Sequence, residues 1–346
     1  MHRETLLSGT ARTRHPYNES MRMRLGLLFL LGLLACVAWA QADSPPPSSS
    51  DAPVPKESSN PASATQSKPA APATLANDQI KELIRKVAEN DIANDKLLRD
   101  YTYTERQETK KLNKRGEITS TESKTYDVLQ IYGETVEKLV AKNDKPLSEK
   151  DAAKEDEKVQ KVIDKRRNES DSDREKRIKK EEKEREEGRE FVKEIADAYD
   201  FTLVKVEPID GRPAWVIDAQ PNPGFIPHRK EARFLSKIVG RVWIDQAEDE
   251  LVKIDCQVTD TISLGLFLAR LHKGTRVVYE QTRVNDEVWL PVHAAIHVDV
   301  RLALMKEFDQ DIDVTDRDYK KFRTGTRIIG MQEINQKPHP EPAPNP

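Results

Sequence analysis

In "PVHAAIHVDVRLAL" (291–304) the apolar positions recur every second residue. Ala294, Ile296, Val298, Val300, Leu302 and Leu304 fall on one side of an extended chain, and His293, Ala295, His297, Asp299 and Arg301 on the other. A segment with this period has one face to bury and one to wet, and a helix cannot satisfy it. The pattern returns in "LVKIDCQVTD" (251–260): Val252, Ile254, Cys256 and Val258 point one way, and Leu251, Lys253, Asp255 and Gln257 the other. One-sided strands in sequence order, joined by short turns, predict an antiparallel meander with one covered side.

Other segments fit this plan. "YTYTERQETKKL" and "TSTESKTYDVLQIYG" flank "NKRGE", a hairpin turn with Gly116, and "TVEKLVAKND" follows as a third strand. "TLVKVEPIDGRPAWVIDAQP" reads as two strands about Asp210-Gly211, "GRVWIDQAEDELVKIDCQVTD" as a second hairpin, and residues 274–308 as two long strands about Asn285-Asp286. "DIDVTDRDYKKFRTGTRI" is the last strand. A helix begins at 75, with Ile80, Leu83, Ile84 and Val87 on one face, and ends near 90–94. A second amphipathic stretch carries Phe191, Val192, Ile195 and Tyr199. The predicted class is α+β: an antiparallel sheet whose apolar face these two helices cover.

Between sheet segments lies "DREKRIKKEEKEREEGRE" (173–190), part of a charged insert at 145–188. "SEKD" and "SDRE" each offer a helix start, at Ser148 and Ser172, and "NESDS" breaks the run near 168–172. Apolar residues are sparse (Val159, Val162, Ile163, Ile178), too few for a sustained coiled-coil seam. Acids and bases alternate closely enough for ion pairs one turn apart. The expectation is a protruding, solvated helical hairpin, with docking of an envelope protein partner through 145–188 as the functional alternative. Its bases are matched by acids, and the whole chain carries a net charge of −3, so nucleic acid is not an expected partner.

The N-terminal 1–40 reads as a secretory signal, with the start at Met21 or Met23. Arg22 and Arg24 precede an apolar core of about a dozen residues, short for a membrane span. Two processing sites are legible. Ala38-Trp39-Ala40 permits cleavage after Ala40, making Gln41 the mature start, whereas "LLAC" resembles a lipobox that would acylate Cys36. Either implies export to the periplasm, and only the second implies membrane association. Residues 41–74, rich in Pro, Ser and Ala, form a disordered tether, 75–331 the folded domain, and 332–346 a disordered tail. Cys256 alone remains in the domain, so no internal disulfide is available.

The sequence holds no Gly-rich phosphate loop, HExxH, CxxC or nucleophile elbow, and nothing in it calls for a cofactor or an enzyme activity. His293 and His297 would share a metal on a helix, but on a strand they lie about 13 Å apart. Asp245, Glu248 and Asp249 read as turn residues. Asp311, Asp313 and Asp316 lack the Gly and terminal Glu of a calcium loop.

The strands "GRPAWVIDA", "GRVWIDQAEDELVKIDCQV" and "NDEVWLPVHAAI", with the signal, the N-terminal helix and the long hairpin at 101–128, resemble the periplasmic lipoprotein carriers and outer-membrane lipoprotein-sorting proteins (LolA/LolB-like). The resemblance covers 75–143 and 191–331. It implies an incomplete β-barrel, lidded by helices, whose concave apolar face holds lipid or lipoprotein acyl chains. The lining would be Val252, Ile254, Cys256, Val258, Ile296, Val298, Val300 and Leu302, with each buried methylene favourable by about 0.8 kcal/mol. The charged insert and the long tether depart from the carriers and favour a tethered relative or an envelope-sensing module.

Overall fold

The computed structural model describes residues 75–229, 231–264, 269–302 and 306–322. The signal, tether and tail, with Cys36, Ala40 and Gln41, lie outside the described residues, as does Leu304.

Helix α1 (Asn77–Leu98) runs past its expected end. The polar run at 90–94 does not stop it, because that run meets tertiary partners. Asn90 Nδ2 donates to the carbonyl oxygens of Glu248 (3.3 Å) and Asp249 (3.0 Å), and Asn94 Nδ2 donates to Glu250 (2.9 Å). Ile92 and Leu98 are buried.

Strands β1 (Tyr101–Leu112), β2 (Ile118–Ile131), β3 (Glu134–Lys142) and the short β4 (Lys145–Pro146) follow. Helices α2 (Glu149–Arg167) and α3 (Asp171–Ala198) make up the charged segment. Next come β5 (Tyr199–Ile209), β6 (Arg212–Pro221), a 3-10 helix (Glu231–Lys237), β7 (Ile238–Asp245) and β8 (Leu251–Val258). The chain finishes with β9 (Ile262–Leu264), β10 (Ala269–Leu271), β11 (Arg276–Val284), β12 (Val288–Leu302) and β13 (Lys306–Lys321). The expected turns hold. Asp210-Gly211 (φ +49°, +80°) and Asn285-Asp286 (φ +52°, +57°) both take the left-handed conformation that tight hairpins require.

All strands join one antiparallel sheet in the order β4-β3-β2-β1-β13-β12-β11-β8-β7-β6-β5, with β10 continuing alongside β12 and β9 beside β10. The meander breaks where β9 and β10 leave β8 beside β11, and again at the first hairpin. β1 pairs with β13 (Tyr101↔Lys321 to Lys111↔Gln310), so the first hairpin attaches to the last strand. Among the described residues the end strands β4 and β5 do not pair, and the sheet stays open.

The charged segment forms two helices, and residues 171–176 and 178–180 at the start of the second are exposed, while the first also rests on the sheet. The chain must travel from the β4 edge to the β5 edge, and α2 and α3 make that crossing. A 28-residue helix such as α3 reaches about 40 Å, enough to traverse a sheet of this kind. α2 lies on β3, burying Val159, Val162 and Ile163 against Ile131, Val136 and Leu129. α3 runs antiparallel to α1, tied by Arg99–Glu181 (3.6 Å) at one end and Arg85–Asp197 (3.0 Å) at the other. The helices therefore pack on different partners and not on each other as a pair. Ser148 caps α2 as expected, accepting from the Asp151 N–H. The second cap is Ser170, not Ser172, and it accepts from the Asp173 N–H.

The main core lies between the helices and the sheet. It gathers Ile80, Ile84 and Val87 of α1, Phe191, Ala196 and Ala198 of α3, and Tyr199, Ile217, Ile244, Leu251 and Tyr279 from the strands. No helix among the described residues is long and apolar enough to cross a membrane.

Candidate ligand-binding face

The eight expected lining residues separate into groups. Ile254 packs on the main core beneath the helices. Cys256, Val258, Ile296, Val298, Val300 and Leu302 join a second apolar cluster with Ile238, Val277 and Ile312. Val252 is buried but falls where the β7–β8 register slips from Lys253 to Leu251. That slip also turns Leu251, expected on the wet side, into the main core.

The register orders the second cluster into rows across the sheet. Cys256, Val277, Ile296 and Ile312 stand side by side on four strands, and Leu271, Val300 and Phe308 form a row further toward the end of β12. Neighbours in such a row are about 5 Å apart, so the rows make one continuous apolar surface. Its surroundings differ from those of the main core. The 3-10 helix contributes Phe234, and β9 and β10, which extend the sheet beside β12, contribute Ile262 and Leu271, whereas the α1 and α3 residues fall in the main core. Burial pushes the Cys256 thiol up to about 12, so it acts as an apolar wall residue.

The opposite face of β11–β13 is a ladder of paired charges. His293 bridges Glu280 (3.3 Å) and Asp313 (2.8 Å), His297 meets Asp311 (2.8 Å), and His272 meets Asp299 (2.9 Å). Burial acts to lower the His293 pKa, but its two carboxylate partners outweigh that and raise it. Each histidine has its own carboxylate, and among the described residues no group of three or more His, Cys, Asp or Glu side chains is placed to hold a metal.

Sequence reasoning missed a polar seam that fastens α1 to the sheet. The Asp245–Asp249 turn does more than turn chemistry. Lys86 pairs with Asp249 (2.5 Å), Asn90 holds the turn carbonyls, Asn94 donates to Glu250, and Gln281 Nε2 donates to Asp91 (3.0 Å). A signal was available: Asp91 and Asn94 continue the buried stripe of Ile80, Ile84 and Val87 at helical spacing. A polar residue in a buried register needs a partner.

Burial raises the Glu250 carboxyl to about 7, helped by Asp91, Glu248 and Asp245 and opposed by the Asn94 hydrogen bond. The folded state therefore holds this proton more tightly than the unfolded chain. Stability is greatest below the ordinary value of 4.5 and is lost as pH rises through about 7. Glu250→Gln keeps an acceptor for Asn94 and cannot ionise. The variant is expected to gain roughly 1–2 kcal/mol over the parent above pH ~8, after discounting for partial exposure, and little below pH ~5. Urea unfolding at the two pH values checks this, and a gain independent of pH would show that the carboxyl is not the cause.

No family model and no curated protein matches the chain. Several solved structures are similar to it. One is a domain named as an outer membrane lipoprotein-sorting protein from Vibrio parahaemolyticus, 14% identical, covering 71% of this chain and 95% of its own, with a TM-score of 0.28. A DUF1329 family protein from Desulfovibrio piger is 10% identical over 72% and 93% of the two chains, with a TM-score of 0.25. A LolA superfamily protein from Nitrosomonas europaea is 9% identical over 67% and 90%, also with a TM-score of 0.25.

Proposed function

We propose that the chain is an exported, non-enzymatic lipid- or lipoprotein-binding protein of the bacterial envelope, holding acyl chains against the apolar face of its open sheet. The observation that carries this reading is the second apolar cluster. Cys256, Val258, Ile296, Val298, Val300 and Leu302 form a continuous surface bordered by a 3-10 helix and by two three-residue strands at the sheet's edge. Short elements bury little area and cost little to displace, so an acyl chain can exchange with them while the α1–α3 core stays closed. The protein would work in the periplasm, anchored to a membrane only if Cys36 is acylated.

The test is the intact native mass of protein purified gently from the envelope. Excess mass that organic solvent releases as lipid is expected, and Ile296→Gln, folded by circular dichroism, is expected to lose it. A bare mass, both as isolated and after incubation with fatty acid, would sink the reading. The same spectrum separates a chain starting at Gln41 from one starting at an acylated Cys36.

A second reading treats the sheet as a scaffold and has 145–188 dock an envelope partner. The exposed charges at the start of α3 favour it. Reversing Lys176, Lys179 and Lys183 should then abolish partner capture without changing stability.

A further inference from the structure

The β1–β2 hairpin outreaches its neighbour. β3 pairs with β2 only over Lys124–Ile131, so residues 118–122 have one bare edge. At the tip Lys111, Lys114 and Arg115 are exposed, the Lys114 side chain 93% so, and beside them stands Ile118, 57% exposed. The acids nearby are engaged. Glu108 is held by Arg106 and Lys110, Glu122 by Lys124, and Glu117 accepts from Asn113 Nδ2 at 2.8 Å.

The turn itself is fixed. Asn113 Oδ1 accepts from the Arg115 and Glu117 N–H groups (2.8 and 3.1 Å), Thr119 Oγ1 donates to the Lys111 carbonyl (3.0 Å), and Gly116 takes φ +75°. The tip is a preorganised cationic prong with one apolar side chain.

The register places the prong at a particular end of the sheet. Lys111 lies opposite Gln310, and Lys114 Nζ is 3.7 Å from Glu307. Glu307 faces Arg301 on β12, and Arg301 faces Arg270 on β10. Val300, Leu302 and Phe308 of the second apolar cluster lie in the rows on either side of Arg301–Glu307, on the opposite face of the sheet. The cationic rim and the apolar rows therefore share one end.

We propose that this end of the sheet docks on an anionic lipid surface, with Lys111, Lys114, Arg115 and Ile118 as the contact. Charge complementarity selects the occupant: an exposed cationic cluster around an exposed Ile suits a lipid interface, where each Lys or Arg adds to binding and the apolar side chain sinks in. Docking here brings the apolar rows to the membrane from which an acyl chain would come. That last point rests on the lipid-binding reading, whereas the docking itself does not.

The test uses the full chain carrying Cys36→Ser, so that no acyl anchor contributes, and vesicles of phosphatidylcholine with or without phosphatidylglycerol. Co-sedimentation is expected only with the anionic vesicles and should weaken with added salt. Lys111→Glu, Lys114→Glu and Arg115→Glu should each lower affinity about fivefold. Ile118→Ser should weaken it further, with thermal midpoints unchanged. Equal binding to neutral vesicles, no binding, or binding indifferent to these substitutions would overturn the proposal. So would loss of a protein partner with vesicle binding intact. A lipid-free protein that still binds anionic vesicles through the tip would remove the lipid-binding reading alone. A lipid-loaded protein that ignores them would remove the docking alone.

Discussion

Asp245→Ala is expected to lower the unfolding free energy by about 2–3 kcal/mol at neutral pH, measured by urea denaturation. The Asp245 side chain is 0% exposed and makes four hydrogen bonds. Arg212 donates to it twice, at 2.7 and 2.8 Å, and the N–H groups of Ala247 and Glu248 donate at 3.0 and 2.9 Å. Alanine leaves two backbone donors without an acceptor. Arg212 retains Glu248 at 3.2 Å, which keeps the loss below that of a fully orphaned buried charge. The turn also carries the carbonyls that bind Asn90, so α1 should loosen with it. Burial would raise the Asp245 carboxyl, but Arg212 and the two N–H groups hold it below its ordinary 3.8. Its contribution is therefore present above that value and lost as pH falls below it, and the gap between parent and variant should narrow in acid. A loss under ~1 kcal/mol would show that the turn holds its shape without this carboxylate.

Ile163→Asp should detach α2 from the sheet. Ile163 is 1% exposed and packs with Val159, Val162, Ile131 and Val136. Each fully buried aliphatic side chain supplies roughly 1.5–3 kcal/mol, and an unpaired carboxylate among them costs more than that docking returns. The cheaper response is for α2 to leave. The expected loss is about 3 kcal/mol, confined to one element. Hydrogen exchange should show the amides of Glu149–Arg167 losing protection while β11–β13 keep theirs. Retained protection in α2 would mean that the helix is held elsewhere. Uniform loss across the sheet would mean that α2 is part of the global folding unit and not a satellite on it.

The apolar side of β12 and of the 254–258 half of β8 was legible in the chain itself, from a period of two, and Asp210-Gly211 and Asn285-Asp286 announce their hairpins; the slip that turns Leu251 inward was not. The helix faces of α1 and the end of α3 were legible for the same reason, since amphipathicity is a local property that burial reads directly. The ion-pair spacing in 173–190 indicated a helix but not its destination.

Tertiary structure alone decided three things. β1 pairs with β13, a contact between segments some 200 residues apart for which neither strand carries a local signal. That pairing puts β4 and β5 on opposite edges, so α2 and α3 must link them, and three buried residues, Val159, Val162 and Ile163, seat α2 on the sheet without a coiled-coil seam. The polar seam under α1 likewise depends on bringing Asp91 and Asn94 to Gln281 and Glu250. Local sequence fixes which face of each element is apolar. Which edge meets which, and which buried polar group finds its partner, follows from closing long loops, a global cost that no short window of sequence contains.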